Sequence, residues 1–156
     1  MKRYTREYLI KHPEKRGEDL KATRRSCERF RHTPVSVMNF VEGTRFTPAK
    51  HDRQQSPYQH LLVPKAGGVG FVLDAMGDAI ETLVDVTIAY PDGAPTFWQF
   101  LRGEVSEIRM EIHTRKIPEN LKGRDYSEDA EYRKAIKEWL TEQWQQKDQR
   151  LERMLS

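Results

Sequence analysis

The 156 residues, 18.4 kDa, fit one domain, and 37% apolar with 10% aromatic residues can build a core, which excludes a disordered or collagen-like chain. The longest apolar stretch, Gly67 to Leu73, is far too short to cross a bilayer, and the single cysteine, Cys27, excludes internal disulfides, cysteine zinc sites and CxxC redox chemistry. The net charge is only +3, but residues 1–60 carry 14 Lys/Arg against 7 Asp/Glu while residues 61–156 carry 13 against 17, so the first third favours an anionic partner or is a solvated surface of loose ion pairs.

Leu20, Thr23, Cys27 and Phe30 recur at helical spacing between Gly17 and Pro34. They predict a helix over residues 18–31 with one narrow buried face, on which Cys27 is a small core residue rather than a nucleophile. Val35 to Val41 then reads as a strand, apolar on both faces and so expected inside a parallel sheet covered on both sides. From Glu42-Gly43-Thr44-Arg45 to about Tyr58 the chain is polar, with Pro48, Pro57 and no period, and is expected to be a loop.

Val69, Val72, Leu73 and Met76 mark a short buried helix ended by Gly77. Leu83 to Tyr90 predicts a second strand, with Val84, Val86, Ile88 and Tyr90 on one face, and Pro91-Asp92-Gly93 a turn. Ile108, Met110, Ile112 and Thr114 alternate with Arg109, Glu111 and His113, a half-exposed strand near a sheet edge with His113 on its exposed face. Ser127 is the expected cap of a final helix, whose apolar stripe is Tyr132, Ile136, Leu140, Trp144, Leu151 and Leu155, interrupted at Lys147-Asp148. The order suits an α/β layered domain, yet only three strands are found and a buried parallel strand needs neighbours on both sides.

The chain contains no H-E-x-x-H, G-x-S-x-G or G-x-x-x-x-G-K-[ST]. Gly68-Val69-Gly70 precedes a helix, but the third glycine of a dinucleotide loop would fall at Leu73. The five histidines are scattered in polar contexts and make no metal pair, so no metal site is expected. A pI near 9.0 is the sole hint of nucleic-acid binding, and no recognised binding motif supports it.

The informative stretch is Phe40-Val41-Glu42-Gly43-Thr44-Arg45, at the end of the expected buried strand, where ligands of open α/β sheets bind. Gly43 permits a sharp turn and close backbone approach, Arg45 offers a planar fork for a phosphate, and Glu42 can orient that guanidinium. The plainer reading is a glycine turn with a local Glu–Arg pair.

This stretch resembles the F-x-E-G-T-R block of the glycerolipid acyltransferases, which include the lysophosphatidic acid acyltransferases. Leu62-Val63-Pro64-Lys65-Ala66-Gly67-Gly68 lies where that family carries a lysine-glycine loop before a helix, and Val84 to Pro91 looks like its fourth block, a strand ending in proline. Trp139-Leu140, Trp144 and Lys147-Asp148 resemble the W-L-x-x-x-W-x-x-K-D ending of a membrane-bound branch that includes lysocardiolipin-type enzymes and bacterial inner-membrane homologues. Met1 to Tyr4 resembles the tail of the family's second block.

The resemblance implies an acyltransferase moving a fatty acyl group from acyl-CoA or acyl carrier protein, with no further cofactor, to a lysophosphatidic-acid-type acceptor. It implies a partial three-layer α/β fold, a mostly parallel sheet flanked by helices, and work on the cytoplasmic face of a bacterial inner membrane. By the same resemblance Glu42, Gly43 and Arg45 would hold the acceptor phosphate and glycerol, Arg3 would add charge, Lys65 would support the acceptor or donor phosphates, and Thr44 could donate a hydroxyl bond. Trp98 and Phe97 suit a lipid interface or the core.

The family's chemistry depends on an H-x-x-x-x-D block, whose histidine acts as general base and whose aspartate orients it. Five residues after His12, His32, His51, His60 and His113 stand Gly17, Val37, Ser56, Lys65 and Pro118, never aspartate. The expectation is therefore that residues 1–156 form the C-terminal portion of one such domain, inactive without the missing dyad and exposing apolar faces if folded alone. The alternative is a catalytically dead module that binds anionic lipid or a partner protein.

Overall fold

A computed structural model describes Pro34, residues 36–77 and residues 79–156. The expected helix over residues 18–31, with Cys27, and the position of Arg3 lie outside the described residues. Among the described residues the elements run α1 (Pro48–Gln54), α2 (Ala66–Met76), β1 (Thr82–Ala89), α3 (Phe97–Leu101), β2 (Arg109–Lys116), a 3-10 turn (Glu119–Leu121) and α4 (Ala130–Leu155). No described helix is long and apolar enough to cross a membrane.

The sheet is a two-stranded antiparallel hairpin, with Val84 opposite Thr114, Val86 opposite Ile112 and Ile88 opposite Met110. Among the described residues it is thus mixed helix and hairpin, and the parallel three-layer sheet is not what they form. Ser36 to Phe40, expected as a buried strand, is irregular and exposed, with Phe40 at 80%. No described strand lies beside it to take up its backbone groups, and an apolar run without a partner strand cannot become sheet. Among the described residues of this run, Val41 alone packs against the core.

Inside the expected 45–58 loop stands α1. Thr47 caps it, accepting the Lys50 N–H at 3.3 Å, and Pro48 follows at the first helical position. None of its residues is buried, so it has no apolar period to betray it. Helix α2 begins three residues before the predicted periodicity and stops before Gly77, as expected.

The C-terminal helix is capped by Asp129, which accepts the Tyr132 N–H at 2.9 Å, rather than by Ser127. Ser127 instead gives its N–H to Asp125 in the preceding turn. The α4 stripe makes two cores. Tyr132, Ile136 and Leu140 meet Leu73, Ile117 and Leu121 in one. Leu151 and Met154 meet Tyr58, Leu61 and Ala89 in the other. Gly70 lets the Tyr126 ring lie on α2: a Cβ there would come within 2.1 Å of the ring.

The hairpin's faces are inverted from the hydrophobic pattern. Val84, Val86, Ile88, Met110 and Ile112 are exposed, whereas Asp85, Thr87 and Ala89 face α4. His113, expected outside, lies on the half-covered face with Arg109, Glu111 and Arg115. The reason is on α4, where Lys147 and Arg150 both reach Asp85. The Lys147-Asp148 interruption of the stripe is an inward polar segment that selects the polar face of β1.

Candidate anion-binding turn

Phe40 to Gly43 closes a turn through a bond from Gly43 N–H to Phe40 C=O at 2.8 Å, and Gly43 sits at φ +69°, in the left-handed region. The sharp turn expected of Gly43 is present. Lys65 occupies the N-cap position of α2, and its own N–H donates to Val41 C=O at 2.8 Å. Its side chain lies along the glycine, so that a Cβ on Gly43 would stand 3.1 Å from the ammonium nitrogen.

Lys50, which sequence reasoning missed, approaches the same turn. Its Nζ donates to the Thr44 hydroxyl oxygen at 2.8 Å and to the Arg45 C=O at 3.0 Å. The signal for it was the Thr47-Pro48 cap, which puts Lys50 in the first turn of a helix folded back on residues 44–45. Thr44 and Arg45 are themselves exposed. The structure thus sets Lys65 against Gly43 and adds Lys50 against Thr44 and the Arg45 carbonyl.

Glu42 departs from its expected role. It turns inward, and its Oε1 accepts the Leu62 N–H at 3.0 Å instead of orienting Arg45. Burial pushes its carboxyl above the ordinary range, partly offset by hydrogen bonds from Leu62 and Trp144 and by the nearby Lys147 ammonium. The carboxylate therefore fastens the turn to the body of the fold, and the positive groups at the turn face no carboxylate from it. Two ammonium groups against a glycine turn, beside the positive end of α2, suit a compact phosphate dianion. Among the described residues no group of three His, Cys, Asp or Glu could hold a metal.

Comparison with known proteins gives a consistent set of names. The chain is 25% identical over 135 residues to "Lysocardiolipin acyltransferase 1" of Danio rerio, covering 77% of this chain and 32% of that one. It is 25% identical over 142 residues to "2-acyl-1-lysophosphatidylinositol acyltransferase" of Saccharomyces cerevisiae, covering 80% and 34%. It is 30% identical over 121 residues to "Probable 1-acyl-sn-glycerol-3-phosphate acyltransferase 5" of Arabidopsis thaliana, covering 72% and 30%. The chain spans about a third of the length of these curated relatives. No family model matches it, and no solved structure does.

Proposed function

We propose that this chain is the acceptor-binding, C-terminal portion of an acyltransferase domain that esterifies a lysophosphatidic-acid-type lipid in phospholipid synthesis or remodelling. The observation that carries the reading is the Gly43–Arg45 turn, on which Lys50 and Lys65 converge while Glu42 is withdrawn. The names of the similar proteins support the reaction class, and the exposed apolar face of the hairpin supports a domain larger than these residues.

In the reaction, a histidine held by an aspartate takes the proton of the acceptor hydroxyl. The hydroxyl oxygen attacks the thioester carbonyl of acyl-CoA or acyl carrier protein, and the thiol leaves as the ester forms. That dyad would come from outside residues 1–156. The part of this chain is to hold the acceptor phosphate with Arg45, Lys50 and Lys65, with the Thr44 hydroxyl and Arg3 adding to the site. An anchored headgroup fixes the distance from the hydroxyl to the base. The setting is a membrane surface, and the exposed aromatic residues Phe97 and Trp98 of α3 suit it. The cytoplasmic face of a bacterial inner membrane rests on the resemblance alone.

The test is binding of lysophosphatidate to the chain in neutral detergent micelles, against monoacylglycerol as the headgroup-free control. Preference for lysophosphatidate that Arg45→Ala reduces about tenfold or more supports the site, on the scale of a lost charge-assisted hydrogen bond. In a protein carrying the upstream dyad, the same substitution raises the acceptor KM and leaves kcat nearly unchanged. Equal binding of both lipids would refute the reading. Salt-sensitive binding to any anionic vesicle, without headgroup preference, would favour a membrane-binding module instead.

A further inference from the structure

Between α1 and α2 the chain runs through residues 59–65 as an irregular strap, and side chains from three directions grip its backbone. Asp148 of α4 accepts the N–H groups of Gln59 and His60, each at 2.8 Å. Ser56 donates to the Leu61 C=O at 2.6 Å, and Gln54 of α1 accepts the Val63 N–H at 3.1 Å. At the centre is Leu62, fully buried, with its N–H bonded to Glu42 and its C=O accepting the indole N–H of Trp144 at 3.1 Å. Three residues later, Lys65 N–H bonds Val41 C=O.

Leu62 is thus the joint between α4 and the turn. Its peptide groups are pinned from one side by the helix and from the other by the residue next to Gly43. Buried backbone groups need partners, so moving one of these bonds moves the others. Trp144 has two separable functions here: its ring packs against the core formed by Tyr58, Leu61, Ala89, Leu151 and Met154, and its N–H sets the height of Leu62.

We propose that Trp144 is a positioning residue for the acceptor site, acting through Leu62 and Glu42 to hold the Phe40–Arg45 turn and Lys65 in one arrangement. This inference rests on the function proposed above. It assigns the α4 segment from Trp144 to Asp148 a mechanical part in substrate recognition, with no contact to the lipid. Trp144→Phe removes the N–H and keeps an aromatic ring. Trp139→Phe, on the same helix and packed against the other core, is the control.

The experiment follows amide hydrogen exchange at residues 40–45 and 59–65 of the full chain, and lysophosphatidate binding in neutral micelles. For Trp144→Phe, exchange at both segments rises and the lysophosphatidate Kd rises about threefold to tenfold, the scale of one lost hydrogen bond, while monoacylglycerol binding stays constant. Trp139→Phe changes neither exchange nor Kd, even where its thermal midpoint falls as far. Unchanged exchange and Kd in Trp144→Phe, or equal changes in both variants, overturn the positioning role. A wild-type chain without headgroup preference refutes the acceptor site itself, and the positioning role falls with it; that failure is visible before any substitution is made.

Discussion

Asp85 holds the hairpin to the C-terminal helix, and its removal has a calculable cost. Its carboxylate takes Lys147 Nζ at 2.5 Å on one oxygen and the Arg150 guanidinium on the other. Arg150 is only 4% exposed, and its Nε already lacks a partner. Lys147 keeps Val86 C=O at 2.8 Å and the Thr87 hydroxyl at 3.2 Å, so it loses less. Asp85→Ala therefore strands mainly one buried guanidinium, at a cost of about 3–5 kcal/mol for a broken buried pair. For a chain of this length each kcal/mol moves the midpoint by about 2–4 °C, so a fall of about 6–20 °C is expected. Thermal unfolding followed by far-ultraviolet circular dichroism at neutral pH measures it. Glu138→Ala, which breaks the exposed pair with Lys134 at 3.8 Å, is the control and costs within about 0.5 kcal/mol. Adding Arg150→Met to Asp85→Ala restores part of the loss, because the stranded charge is gone. A fall below about 2 °C for Asp85→Ala, smaller than one kcal/mol on this scale, would refute the reasoning. So would a double variant less stable than Asp85→Ala.

Gly43→Ala puts an L side chain at positive φ beside Lys65 and costs about 1–2 kcal/mol in thermal unfolding, whereas Gly43→Asn costs less, since Asn tolerates that region. Tyr132→Phe removes the bond from its hydroxyl to Leu121 C=O at 2.8 Å, about 1 kcal/mol, in the same assay. Burial, followed by the Asp74 charge, pushes the Tyr132 hydroxyl up to about 12 from 10.0. The unfolded chain loses that proton first, so this contribution to stability is present below pH 10.0 and is lost as pH rises toward about 12, and Tyr132→Phe abolishes that part of the alkaline slope. Glu42 is raised too, so the folded state holds its proton longer; stability contributed there is present at low pH and is lost as pH rises from 4.5 through the raised value. Glu42→Gln keeps an oxygen for Leu62 and removes that acid-side dependence, measurable as midpoint against pH.

The long, strongly periodic elements were legible. Helix α4, the β1 and β2 strands and the helix before Gly77 follow from spacing, because each carries a regular hydrophobic repeat. Helix α1 was not, since it buries nothing and only its Thr47-Pro48 cap marks it. The run from Val35 was misread for the opposite reason. Its apolar residues imply burial, but burial requires a partner strand, and among the described residues no strand pairs with Val37, Met38 or Phe40. The hairpin shows the same limit. Alternation gives the two faces of β1 and β2 correctly, but which face meets α4 is decided by Lys147 and Arg150, more than sixty residues away from Asp85.

The candidate site divides along the same line. The turn, its glycine and the lysine before α2 are local features, and local sequence carries them. What Glu42 does is not local. Beside Arg45 in the sequence, it invites an ion pair, which would have cancelled one of the positive charges available to a phosphate. In the fold it reaches Leu62 instead, twenty residues on, and Trp144 bonds both Leu62 and Glu42. The carboxylate that looked like part of an anion site is thereby taken out of it, and the acidic residue becomes the reason the turn can be basic. On the function proposed above, a residue pattern such as Glu-Gly-Thr-Arg marks an anion site with one of its two charged members facing away from the ligand. The fold must supply an inward partner for that member, and here the partner is a backbone N–H held in place from the C-terminal helix.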